Sequence, residues 1–166
     1  AAAGACGALT MAVRLEPVTG KTVGAVCRLD AGDGGRQVAP NAVSIAQAYF
    51  EPAAWFRAIH ADTPAQADAL VGFVMLYDPT RVTAPEMPHV YLWRLRIDRA
   101  HQGAGYGAAA ARLVIDHALS LPGMTELRVS HEPETPQLTR FYQSLGFAYT
   151  GEVDEGELVM SLPLRA

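Results

Sequence analysis

Residues 102–107 read Gln102-Gly103-Ala104-Gly105-Tyr106-Gly107, and the elements on either side of them set the class of fold. Before this stretch, residues 91–98 alternate in polarity as a strand does, and after it an apolar face recurs at helical spacing up to residue 121. A glycine loop between a strand and a helix presents unpaired main-chain N–H groups and the positive end of the helix dipole to an anion. The stretch therefore predicts a phosphate-binding loop.

Two other phosphate loops are disfavoured by what surrounds these glycines. The spacing Gly103-x-Gly105-x-x-Ala108 matches the dinucleotide fingerprint, but only about sixty residues follow, too few to complete a doubly wound sheet. A nucleotide P-loop needs Lys and then Ser or Thr after its last glycine, whereas Gly107 is followed by Ala108 and Ala109. The flanking sequence therefore disfavours both a dinucleotide-binding loop and a nucleotide P-loop.

Periodicity and turn residues predict the remaining elements. Strands are expected at residues 13–18, 55–61, 69–77, 127–131, 147–153 and 157–162, and helices at 21–29, 40–49 and 136–145. The nearly continuous apolar run at 69–77 predicts a central strand buried on both faces. The strand at 91–98 is expected to point one set of side chains to one face and the alternate set to the other. These sets are Tyr91, Trp93, Leu95 and Ile97, and Leu92, Arg94, Arg96 and Asp98.

A second motif, Phe141-Tyr142-x-x-Leu145-Gly146-Phe147, lies on the last predicted helix about 35 residues after the glycine loop. With the glycine loop, it resembles the signature of the GNAT superfamily of N-acetyltransferases. The resemblance implies an α/β (α+β) fold with a mixed, mostly antiparallel sheet of about seven strands and about four helices, splayed between strands four and five. It covers nearly all of a single predicted domain, residues 11–166, and residues 1–10 are expected to be an expression remnant or a disordered leader.

The resemblance implies acetyl-CoA as cosubstrate and assigns roles to individual residues. Residues Gln102, Gly103, Ala104, Gly105, Tyr106 and Gly107 would hold the pyrophosphate. Main-chain N–H groups near Leu95, Arg96 and Ile97 would bind the thioester carbonyl, and Tyr142 would protonate or hydrogen-bond the departing sulfur. Thr135 stands where many relatives carry an asparagine that contacts CoA, and a plain helix N-cap is its alternative role.

Several segments are similar to bacterial spermine/spermidine acetyltransferases of the BltD type, among them residues 40–49, 72–75 and 93–98. This implies a primary amine, a polyamine or diamine, as acceptor, with Tyr49, Glu51 and Trp93 as candidate contacts because polyamines need carboxylates and aromatic faces. Trp93 occupies the position of the strand-four glutamate base of some relatives, so the base is unassigned, with Glu51 or water relayed through a carboxylate as substitutes. Aminoglycosides, peptide amines, or a CoA-binding sensor without transfer activity are the alternatives.

The composition indicates which kinds of binding partner are disfavoured. The 166 residues carry 13 Lys and Arg against 17 Asp and Glu, a net charge of −4 without a basic stripe, which disfavours nucleic acid. No uncharged stretch is long enough to span a bilayer, and two cysteines and scattered histidines lack the spacing of a metal site. We therefore expect a cytoplasmic protein with no metal, no membrane partner and, as is common in the family, a possible homodimer.

Overall fold

The computed structural model describes residues 12–34, 39–83 and 87–164. The predicted leader at residues 1–10 lies outside the described residues. The helices and strands occur in the order β1 (Val13–Glu16), α1 (Val23–Arg28), α2 (Asn41–Phe50), β2 (Ala54–Ala61), β3 (Leu70–Tyr77), β4 (Val90–Ile97), α3 (Tyr106–Ser120), β5 (Glu126–His131), α4 (Pro136–Ser144), β6 (Ala148–Asp154) and β7 (Glu157–Pro163). Short 3-10 turns at Pro79–Arg81 and Arg99–His101 follow β3 and β4.

The seven strands form one sheet in the order β1-β2-β3-β4-β5-β7-β6. All neighbouring strands pair antiparallel except β4 and β5, which are parallel. The predicted mixed, mostly antiparallel sheet and its four α-helices are therefore confirmed. No helix in the described ranges is long and apolar enough to cross a membrane.

The parallel pair β4–β5 separates soon after it forms. Only Val90↔Leu127 and Tyr91↔Arg128 are paired, although β4 continues to Ile97 and β5 to His131. Beyond Tyr91, the main-chain groups of β4 that face β5 have no ladder partner in the described sheet. The predicted splay between strands four and five is thus present, and it opens the sheet at its centre.

Both faces of the sheet are covered by helices. The larger apolar cluster lies between the sheet and α3 and α4, and includes Leu92, Val114 and Tyr142. The smaller cluster lies on the α1–α2 side, around Val26 and Phe73. Because each face of the central strands is buried against helices, β3 is apolar almost throughout, as the continuous run at 69–77 predicted.

The predicted alternation along β4 is wrong because the strand contains a β-bulge. Arg94 pairs with Met75 and Leu92 with Leu76, so Trp93 is the extra residue. Leu92 is buried in the α3–α4 cluster, Leu95 and Ile97 pack against that same cluster, and Trp93 packs against the other. One inserted residue reverses the parity of side chains along a strand, so the predicted face changes at the bulge.

Candidate active site

The glycine loop, residues 102–107, connects β4 to the start of α3. Gly103 (φ 77°) and Gly105 (φ 88°) are both left-handed, which glycine adopts without the steric cost of a Cβ. The amide of Ala109 donates to the carbonyl of Gly105 at 3.1 Å, so the amides in the turn before Ala109 have no partner inside the helix. These N–H groups point out of the N-terminus of a helix of 15 residues.

Two side chains of the loop are engaged with the protein itself. The Gln102 amide nitrogen donates to the carbonyls of Ala31 (2.9 Å) and Ile97 (3.0 Å), and so ties the loop to the end of β4. The Tyr106 ring is 2% exposed, and its hydroxyl donates to Gln66 at 2.9 Å. What the loop offers to a ligand is therefore its backbone rather than these side chains.

A cavity of about 650 Å³ lies at the β4–β5 splay. Leu92, Leu95 and Tyr142 line it from the α3–α4 side. Tyr91 and Ser130 line it from the opposite side, because their neighbours Val90, Leu92 and Val129 point into the α3–α4 cluster. Residues from both faces of the sheet therefore line one cavity where β4 and β5 separate.

Tyr142 lies on the α3–α4 side of this cavity. Its side chain is 7% exposed and is held edge-on by Phe141 (ring centroids 5.1 Å apart) and Phe147 (5.5 Å). Burial raises the pKa of the Tyr142 phenol above its ordinary 10.0, and the neighbouring Tyr91 phenol adds to this effect. Within the described residues its hydroxyl has no hydrogen-bond partner, so a protonated phenol is available to a ligand in the cavity.

His131 and Thr135 form a polar support behind Tyr142. The His131 ring stacks near Tyr142 at 6.5 Å, and its Nδ1 lies 2.8 Å from the carbonyl of Glu132, to which only a protonated nitrogen can donate. The Thr135 hydroxyl also donates to the Glu132 carbonyl, at 2.6 Å, and does not cap α4. Thr135 therefore holds the predicted N-cap position of α4 without a side-chain capping hydrogen bond, and it also lines the cavity.

The opposite mouth of the cavity is acidic. Its carboxylates are Glu51, Asp154, Glu155 and Glu157, supplied by the end of α2 and the β6–β7 turn. Glu51 accepts a hydrogen bond from the Ala53 amide at 3.0 Å. No group of three potential metal ligands occurs among the residues that the structure describes.

Arg94 also lines this mouth, next to Trp93. Arg94 donates to the Trp93 carbonyl (2.8 Å) and to Gln47 (3.3 Å), and its guanidinium lies 5.5 Å from the centre of the Trp93 ring. Burial lowers the pKa of Arg94. Among the described lining residues, carboxylates therefore outnumber cations at this mouth, which favours a positively charged ligand.

The predicted substrate contacts separate into two groups. Glu51 and Trp93 both line the cavity. Tyr49 does not, since its side chain is 85% exposed and contacts Phe50 edge-on with ring centroids 5.1 Å apart. The structure thus brings two of the three residues to the site.

Sequence reasoning misses Tyr91 and Ser130, which line the cavity between Trp93 and the acidic turn. The predicted alternation puts Tyr91 on the same face as Leu95, because the bulge leaves no mark in the sequence. Ser130 occupies an outward position of β5 that it shares with Glu126 and Arg128, so the sequence does not single it out.

Comparison with known proteins agrees with this architecture. The model of the acetyltransferase (GNAT) family matches residues 33–147. A probable spermine N(1)-acetyltransferase from Bacillus subtilis subsp. natto (strain BEST195) is 33% identical over 97 residues, which span 55% of this chain and 61% of that relative. The aligned region is thus about three fifths of the relative's length.

Solved structures share the fold at low sequence identity. The spermidine N-acetyltransferase of Vibrio cholerae, in complex with CoA and spermine, superposes with a TM-score of 0.70 at 14% identity, covering 92% of this chain and 95% of that one. An acetyltransferase from Thermus thermophilus gives a TM-score of 0.64 at 21% identity, covering 93% and 98%. With the family match over residues 33–147 and the split sheet described above, this chain belongs to the GNAT acetyltransferase family.

Proposed function

We propose that this protein is an acetyl-CoA-dependent N-acetyltransferase that moves the acetyl group to a primary amine of a polyamine or diamine. The observation that carries the proposal is the cavity through the β4–β5 splay, with a protonated phenol on one side and an acidic mouth on the other. This layout suits direct attack in a ternary complex. The amine enters from the acidic mouth, and the thiolate departs on the side of Tyr142.

The glycine loop fits a diphosphate. A Cβ built on Gly103 would meet no atom within 4 Å, so the loop backbone is open to a large anion. The unpaired amides at the start of α3 and the helix dipole then attract the negative charge. Bound acetyl-CoA would supply an activated thioester, and Thr135 would lie beside it in the cavity.

Two groups would act on the thioester. The main chain from Leu95 to Ile97 follows the bulge of β4, where β5 has already separated, so its N–H groups can stabilise negative charge developing on the carbonyl oxygen. Tyr142 would donate its proton to the thiolate, because burial keeps the phenol protonated at neutral pH.

The class of acceptor is inferred from the charge of the cavity mouth and from the substrates for which the relatives are named. The mouth carries Glu51, Asp154, Glu155 and Glu157 against Arg94, and the Trp93 ring offers an aromatic face to alkylammonium groups. Relatives named for spermine and spermidine support the same class. Arg94 also gives weight to a second candidate, an acceptor that carries a carboxylate near its amine, such as a peptide.

Thiol release from acetyl-CoA, measured against polyamines, aminoglycosides and short peptides, tests the proposal. We expect turnover with polyamines and a higher KM for them in Glu51→Gln, whose amide oxygen still accepts from Ala53. Asp116→Asn is the matched control, because Asp116 is exposed on α3 and does not line the cavity. Turnover with peptides alone would show that the acceptor is a peptide amine and not a polyamine. Tight CoA binding without turnover would indicate a CoA-binding sensor.

A further inference from the structure

Three polar side chains form a hydrogen-bonded chain across the acceptor side of the sheet. The Tyr91 hydroxyl on β4 contacts the Ser130 hydroxyl on β5 at 2.5 Å. Ser130 in turn donates to the carboxylate of Glu157 on β7. All three residues line the cavity, and the family signature assigns a role to none of them.

The direction of this chain follows from which atoms carry hydrogens. An ionised carboxylate only accepts, so the Ser130 proton points to Glu157. Ser130 has one hydrogen, so its oxygen must accept the hydrogen of Tyr91. The lone pairs of the Tyr91 oxygen are then free to accept an N–H from a molecule in the cavity.

We propose that Glu157, acting through Ser130 and Tyr91, accepts the proton that the amine nitrogen loses as its bond to the acetyl carbon forms. This inference rests on the proposed function. Tyr91 would contact the nitrogen and is the catalytic residue of the chain, while Ser130 and Glu157 act through it. The chain supplies a base to a site in which Trp93 occupies the strand-four position.

The proton and bond changes balance. The neutral amine forms the C–N bond, and its N–H proton passes to Tyr91 as the Tyr91 proton passes to Ser130 and the Ser130 proton to Glu157. The C–S bond breaks, and the thiolate takes the proton of Tyr142. Glu157 then returns its proton to water at the half-buried mouth, and Tyr142 regains one, so only amide and thiol are released.

The arrangement separates base from acid. Tyr91, Ser130 and Glu157 occupy the acceptor side of the split sheet, whereas Tyr142 lies on the α3–α4 side. The charged and titratable groups that interact with Tyr91 are Glu157, Asp154 and Arg94 on the acceptor side and the Tyr142 phenol on the other. The amine can therefore lose a proton to Tyr91 on one side of the thioester while the thiolate gains a proton from Tyr142 on the other side.

The experiment compares Glu157→Gln, Ser130→Ala and their double variant in thiol release with a polyamine. Gln can still accept from Ser130 but cannot take a proton, so we expect kcat to fall roughly 10²-fold with the KM for acetyl-CoA unchanged. The double variant should lose no more than either single variant, because both break one chain. Glu126→Gln is the matched control, since Glu126 also accepts from a serine across β5 and β7 but lies outside the cavity.

A solvent-deuterium proton inventory separates this role from a structural one. A plot of wild-type kcat against the fraction of deuterium in the solvent should be curved, because several protons move together. The same plot for Glu157→Gln should be linear. An active wild-type enzyme with full kcat in Glu157→Gln would overturn the relay and leave the proposed function intact. A wild-type enzyme that releases no thiol with any amine would overturn the proposed function, and the relay with it.

Discussion

Gly72→Ala should damage the site from a distance. Gly72 on β3 pairs with Ile97 of β4, and a Cβ at Gly72 would lie 2.4 Å from the carbonyl oxygen of Arg96. Ordinary contacts begin at 3.4 Å, so the β4 backbone must move by about 1.0 Å. That backbone carries the N–H groups proposed to bind the thioester carbonyl, and a misplacement of about 1 Å costs on the order of 10²-fold in rate.

We expect kcat/KM to fall on the order of 10²-fold and the free energy of unfolding to fall by about 1–3 kcal/mol from overpacking. Thiol release at a temperature where denaturant curves show a folded protein measures the first effect. Gly20→Ala is the control, since nothing lies within 4 Å of its added Cβ. Adding Ile97→Val should not rescue activity, because the atom nearest to the new Cβ is the main-chain oxygen of Arg96 and not the Ile97 side chain. Full activity in folded Gly72→Ala would refute the reasoning.

Three further predictions concern the cavity. Tyr142→Phe should lower kcat roughly 10²-fold and leave the Kd for CoA unchanged by calorimetry, and an unchanged kcat would remove the acid role. The kcat/KM for an alkylamine should rise about tenfold per pH unit from about pH 7 to 9, because roughly one molecule in 2,500 is neutral at pH 7. The pKa of Tyr142 is raised above 10.0, so the phenol loses its proton only above that pH, and a falling limb near pH 8 would contradict this assignment. Arg94→Gln should lower the KM of a polyamine severalfold by removing a like charge, whereas a higher KM would indicate an acceptor that carries a carboxylate.

The local elements could be predicted from the sequence because their signals are local. Gly103 and Gly105 predicted a loop between a strand and a helix, and the structure has that loop, with both glycines left-handed (φ 77° and 88°). The apolar spacing after Gly107 predicted α3, and the continuous run at 69–77 predicted a central strand buried on both faces. These inferences need only the steric limits of the backbone and the period of each element.

The composition of the cavity required the tertiary structure. The bulge at Trp93 reversed the predicted faces of β4, since one extra residue in a register is invisible to a period-two pattern. Tyr49, with an aromatic ring next to Glu51, points to solvent instead of the cavity. Side-chain direction at the end of a helix depends on how that helix packs, and spacing along the chain does not fix it.

The order of residues along the chain was enough to specify the strand, loop and helix that leave amides unpaired at the start of α3, together with the phenol on the last helix. The folded sheet was needed to bring Tyr91, Ser130 and Glu157, separated by 39 and 27 positions, into contact. This is because β4, β5 and β7 become neighbours through pairing between distant segments. A hydrogen bond across three strands exists only once the sheet order and the register are set.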